Sequence, residues 1–141
     1  MNTQASLLPV TRELVPEDQR IDVVERLFGM AFPLQLEPVV YGITDRMAGE
    51  YTGGYWDFFT LSNGGFYMAP SEDKVFHVKC QNMYECDLSA DALGIVACEY
   101  AFSNLSFSLS DIAREYARHY HLLREYSMEH AEVRAILAAT D

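Results

Sequence analysis

The chain carries four histidines and three cysteines, and these are the first residues to weigh for chemistry. A metal would need several of them to converge. His77 and Cys80 stand three apart on an expected strand and so point to opposite faces. With Cys86 they still make no zinc spacing. His119 and His121 stand two apart on an expected helix and again face apart. They read as a packed cysteine, an exposed histidine and a histidine in an apolar stripe, with no metal and no cofactor. Nucleophilic chemistry finds no Gly-x-Ser-x-Gly elbow and no cysteine signature. Ser103, Ser106, Ser108 and Ser110 read as a junction between helices. The glycine pairs at 53–54 and 64–65 lack the lysine of a phosphate loop and do not open a helix. Carboxylates are abundant, but none is singled out as half of an acid–base pair. Arg114, Arg118 and Arg124 share one expected helix with Glu115 and Glu125, as solvated ion pairs do.

Association is the better expectation, and the residues that point to it lie between Gly53 and Pro70. That run holds the only tryptophan, a dense set of aromatics and an Asn-Gly turn. Most of its rings are expected in the core, where they stabilise strand pairs. Both alternating faces of residues 55–61 nevertheless carry aromatics, so one or two rings are expected at the surface. The candidates for partner contact are Tyr55, Trp56 and Tyr67, with Asp57 as a polar neighbour. Asn63, Gly64 and Gly65 are read as turn residues.

The formal net charge of −11 argues against a protein that grips DNA phosphates, which needs clustered Lys and Arg. It leaves two readings: an acidic soluble protein, or a carboxylate surface that competes with DNA on a DNA-binding enzyme. No apolar run is long enough to span a bilayer, and no signal region opens the chain. The odd number of cysteines fits a reducing cytoplasm, and a monomer is expected.

These residues need elements to hold them. Residues 1–14 read as a flexible leader and 15–141 as one domain. A helix is expected from Pro16, with Ile21, Val24, Leu27 and Phe28 inward and Gly29 as its stop. Pro33 is expected to break the chain before a second helix over 38–47, with Val40, Ile43 and Met47 buried. Residues 55–61 and 65–69 form a hairpin about a type I′ turn at Asn63-Gly64, which sets Leu61 opposite Phe66 and Phe59 opposite Met68. Residues 75–80 alternate as a half-buried third strand, and 84–88 add a short fourth. Ser89 caps a central helix that is apolar nearly all round. Ser110 caps the next, with Ile112, Tyr116, His119, Tyr120 and Leu123 on one face, and Ser127 caps the last. The class is α+β: a small antiparallel meander of three to four strands packed with about five helices.

Two segments have a wording of their own: Val15-Pro16-Glu17-Asp18-Gln19-Arg20 with Arg26-Leu27-Phe28-Gly29, and Gly53-Gly54-Tyr55-Trp56 with Leu61-Ser62-Asn63-Gly64-Gly65-Phe66-Tyr67-Met68-Ala69-Pro70. In these the chain resembles the ArdB/KlcA family of antirestriction proteins of plasmids and other mobile elements, closest to the plasmid-encoded KlcA branch. The resemblance runs over nearly the whole chain. It implies alleviation of type I restriction of incoming DNA, directly or indirectly through the host restriction-modification system. It implies no enzyme activity, no cofactor and no transferable active site. Two alternatives stand beside it: an acidic competitor that binds the type I enzyme directly, and an enzyme with a cleft near the hairpin.

Overall fold

The computed structural model describes residues 8–141. Strand β1 (Arg12–Leu14) leads through a 3-10 turn (Glu17–Gln19) into helix α1 (Arg20–Phe28). A π-helical turn (Phe32–Leu36) runs into α2 (Glu37–Met47). Strands β2 (Trp56–Leu61), β3 (Phe66–Pro70), β4 (Val75–Lys79) and β5 (Glu85–Ser89) follow, then helices α3 (Ala90–Ser106), α4 (Ala113–Ser127) and α5 (Val133–Thr140). The chain adopts the expected α+β class, with five α-helices among the described residues. The meander is split into two antiparallel sheets, β1-β2-β3 and β4-β5.

Helix α3 is the axle. Its middle, from Ala92 to Cys98, is buried on every side, as its uniform apolarity predicts. Ser89 caps it by accepting the Ala92 N–H at 3.1 Å. Gly94 is what lets β3 lie against it, since a Cβ there would run into Ala69 and the Met68 carbonyl. Phe102 of α3 interlocks with Phe28, Phe32, Phe58, Phe66 and Tyr116 in one cluster of rings, largely edge to face or offset.

Several expectations are corrected. Residues 1–7 lie outside the described part of the expected leader, but ordered structure begins before residue 15. Arg12, Glu13 and Leu14 pair with Leu61, Thr60 and Phe59 as the edge strand, and Val10 is buried. The hairpin turns through three residues, Ser62, Asn63 and Gly64, closed by Gly64 N–H to Leu61 O at 2.9 Å and Leu61 N–H to Gly65 O at 2.9 Å. Of these only Gly64 takes positive φ, +94°, as a three-residue loop requires, and the Asn63 side chain accepts the Gly65 N–H at 3.0 Å. The pairing therefore slips by one, to Phe58 with Met68 and Phe59 with Tyr67, and this changes which residues share a face.

Ile21 is exposed rather than inward. The sheet-facing positions of α1 are Arg20, Val24 and Phe28, spaced four apart, and Arg20 occupies the first turn. Pro33 does not break the chain. It sits in the first turn of the π-helical segment, where a missing N–H costs nothing. Ser110 accepts the Ile112 N–H, but α4 begins only at Ala113. Ser127 caps nothing: it ends α4, and its hydroxyl donates to the buried Glu99 at 2.6 Å.

Candidate partner-binding site

The entry to β2 is organised by Arg20. Its guanidinium donates to the Trp56 carbonyl at 2.6 Å and lies against two rings, 4.6 Å from the Tyr55 centroid and 4.3 Å from that of Phe58. Asp57 stands 4.0 Å away. Tyr55 is half exposed and Asp57 partly so, and these two of the four candidate contact residues reach the surface. Trp56 and Tyr67 do not. Trp56 turns inward on the same face of β2 as Phe58, packs edge-on to Tyr41 and Tyr51, and donates from Nε1 to the Tyr51 hydroxyl at 2.8 Å. Tyr67 is wholly buried between Phe59 and Tyr126.

Buried Tyr67 is part of a clasp centred on Asp91, in the first turn of α3. Tyr67 donates to Asp91 Oδ1 at 2.7 Å, Arg12 to the same oxygen at 2.6 Å, and His130 Nε2 to Oδ2 at 2.8 Å. Arg12 also donates to the Tyr67 hydroxyl at 2.8 Å and covers the Phe59 ring. Burial pushes the Asp91 carboxyl up, but the bonds from His130 and Tyr67 and the charge of Arg12 outweigh it, so it sits below the usual carboxylate range. Burial, then the Asp91 charge, holds the Tyr67 phenol far above its ordinary value. His130 Nδ1 accepts the Glu132 N–H at 3.0 Å, so both ring nitrogens are engaged. Three groups that could serve acid–base chemistry are thus bonded to one another, to Arg12 and to the Glu132 N–H. What they do is tie the edge strand to α3 and to the turn before α5. A surface groove of about 360 Å³ opens over the clasp, with Asp57, Glu72 and Asp73 around it.

The remaining candidates are structural. Asn63 donates to the Leu122 carbonyl at 2.9 Å and to Glu125 at 2.8 Å, and so pins the hairpin tip to α4. Gly65 admits Leu61 and Leu122 within 3.0 Å of where a Cβ would sit. The groove at this tip contains Ser62, which accepts the Thr11 N–H, and Glu125, which accepts from Asn63; among the described residues no hydrogen bond joins the Ser62 hydroxyl to the Glu125 carboxylate. His77 is exposed and bonded to Asp87 and Glu85, and Cys80 packs inward. His119 lies in the stripe as expected, fully buried against Phe28 and Phe102. Arg124 is not merely solvated: it donates to the buried Glu99 at 3.2 Å. Sequence reasoning missed Arg12, Arg20, Asp91 and His130. Arg20 had a signal, as the last residue of the Val15–Arg20 motif; the others come together only through the topology.

Residues 49–141 match the antirestriction protein family. An antirestriction protein KlcA of Escherichia coli is 39% identical over 144 residues, spanning 100% of both chains. A second KlcA of Escherichia coli is 40% identical over 138 residues, 94% of each chain. A solved structure matches with a TM-score of 0.87 at 38% identity, over 95% of this chain and 96% of that one. It is of the KlcA and ArdB proteins, which show a novel fold and antirestriction activity against type I DNA restriction systems in vivo but not in vitro. The chain belongs to the antirestriction protein family.

Proposed function

We propose that this protein alleviates type I restriction of incoming plasmid or phage DNA in the cytoplasm of its host, by association rather than by bond-making chemistry. The observation that carries this is the end-to-end likeness to KlcA, in sequence and in fold. The self-satisfied Asp91 clasp supports the non-catalytic part. The activity of the KlcA and ArdB proteins in vivo but not in vitro favours an indirect route, through a host component absent from the purified reaction. Tyr55 and Asp57, steadied by Arg20, are the contact residues within this reading. The test is to express the chain in a host with an active type I system and challenge it with unmodified phage. Plating efficiency rises if the reading is right, and unchanged plating overturns it.

The net charge of −11 favours a second reading, direct competition with DNA on the restriction enzyme. That reading requires the purified chain to block cleavage, and to do so less well as salt rises. Undiminished cleavage at high protein excess removes it and leaves the first reading intact.

A further inference from the structure

Next to the Tyr55–Arg20 ledge lies an apolar groove of about 420 Å³ between α1 and the π-helical turn. Val24, Phe32 and Phe58 line its inner side, and Ile21 and Met30 stand at it, 75% and 69% exposed. The apolar surface continues past it. Leu34 is 70% exposed, and the bond from Ser110 to Gln35 at 3.0 Å brings the bare Phe107–Leu109 loop to the same end. A monomer seldom leaves so many large apolar side chains together without a use for them.

We infer that this groove is the docking site for a short amphipathic helix of a partner protein, apolar on one face and flanked by lysine or arginine. The inference rests on the association reading above and specifies the chemistry of the partner. The charges select the occupant. Glu25 and Glu37 line the groove, and neither has a cationic partner among the described residues. Arg20, the one cation among the described residues that line it, is held by the Trp56 carbonyl and the two rings. An apolar floor with an acidic rim suits a helix laid in the groove with its basic side chains over the carboxylates. A second copy of this chain fits poorly, because it brings the same rim and another −11 of charge.

The test uses the full chain and a synthetic amphipathic helix of leucine and lysine, with a leucine–glutamate helix as its counterpart. In an amide NMR titration the lysine peptide shifts signals along α1 and the π-helical turn, and binds at least about tenfold tighter than the glutamate peptide. Met30→Glu and, separately, Ile21→Glu weaken it by about tenfold or more; both side chains are exposed, so folding is kept. Equal binding of both peptides, shifts confined to another face, or concentration-dependent dimerisation abolished by Met30→Glu overturns the inference. In the phage challenge, wild-type alleviation with loss in both variants supports it. Full alleviation by the variants overturns it while the function stands. A wild type that fails to alleviate sinks the function, and the titration then decides the groove by itself.

Discussion

His119 has the clearest consequence of any single residue. Neither ring nitrogen finds a hydrogen-bond partner among the described residues, and the ring is sealed between Phe28 and Phe102. Burial first, and the Arg118 charge second, drop it from the ordinary 6.5 to about 4. Between those values the unfolded chain holds the extra proton. The stability tied to neutral His119 is therefore complete above pH 6.5 and is lost as pH falls toward 4, by about 3 kcal/mol. His119→Leu removes that loss and two unpaired polar atoms. Urea unfolding is expected to give a variant at least as stable as wild type at neutral pH, and more stable by about 3 kcal/mol near pH 4. Parallel pH profiles for the two proteins would contradict this. In the sequence His119 was legible as a stripe residue, but not as an unpartnered one, because its neighbours come from α1 and α3.

Elements were legible where local chemistry decides them, and less so where packing does. Ser89 announced α3, Gly29 ended α1, and the alternation of Phe76 and Val78 with His77 and Lys79 marked β4. The hairpin register was not legible, since Asn-Gly suits a two-residue loop as well as the three-residue loop used. In the longer loop the Asn63 side chain is bonded to Gly65 and to α4, contacts that come from distant packing. Edge strand β1 was hidden by its brevity, and its Arg12 is held by Tyr67 and Asp91 from distant parts of the chain. Two glycines yield element-scale predictions. Gly64→Ala forces a side chain into φ +94° and is expected to cost about 1 kcal/mol or more, whereas exposed Ser71→Ala costs little. Equal thermal midpoints for the two would refute it. Gly94→Ala drives a methyl into β3. The helix propensity gained, about 1 kcal/mol, does not offset that clash, and a net loss of about 1–3 kcal/mol is expected in denaturant unfolding. A variant as stable as wild type would show that α3 and β3 are not in close contact.

For the whole molecule, charge and topology have separate consequences. The −11 charge bears on which partners approach and leaves the fold undetermined. The topology decides what such a partner meets. The aromatic run is turned mostly inward, so Trp56 and Tyr67 support the surface from beneath while Tyr55 and Asp57 present it. Residue types picked out four candidates, of which Tyr55 and Asp57 reach the surface. The rest depended on packing: β3 is buried on both faces, and Arg20 rather than Ile21 takes the sheet-facing position of α1, neither of which local sequence dictates. The family wording around Gly53–Pro70 is the wording of a hairpin core, with only Tyr55 and Asp57 of the four candidates at the surface. The most direct test is the plating efficiency of unmodified phage on a type I restricting host that makes equal amounts of wild type or of the Tyr55→Ala, Asp57→Ala double variant. The wild type is expected to raise plating, and the folded double variant to lose most of the gain, about tenfold or more. Plating unaffected by the wild type, or fully restored by the variant, would contradict it.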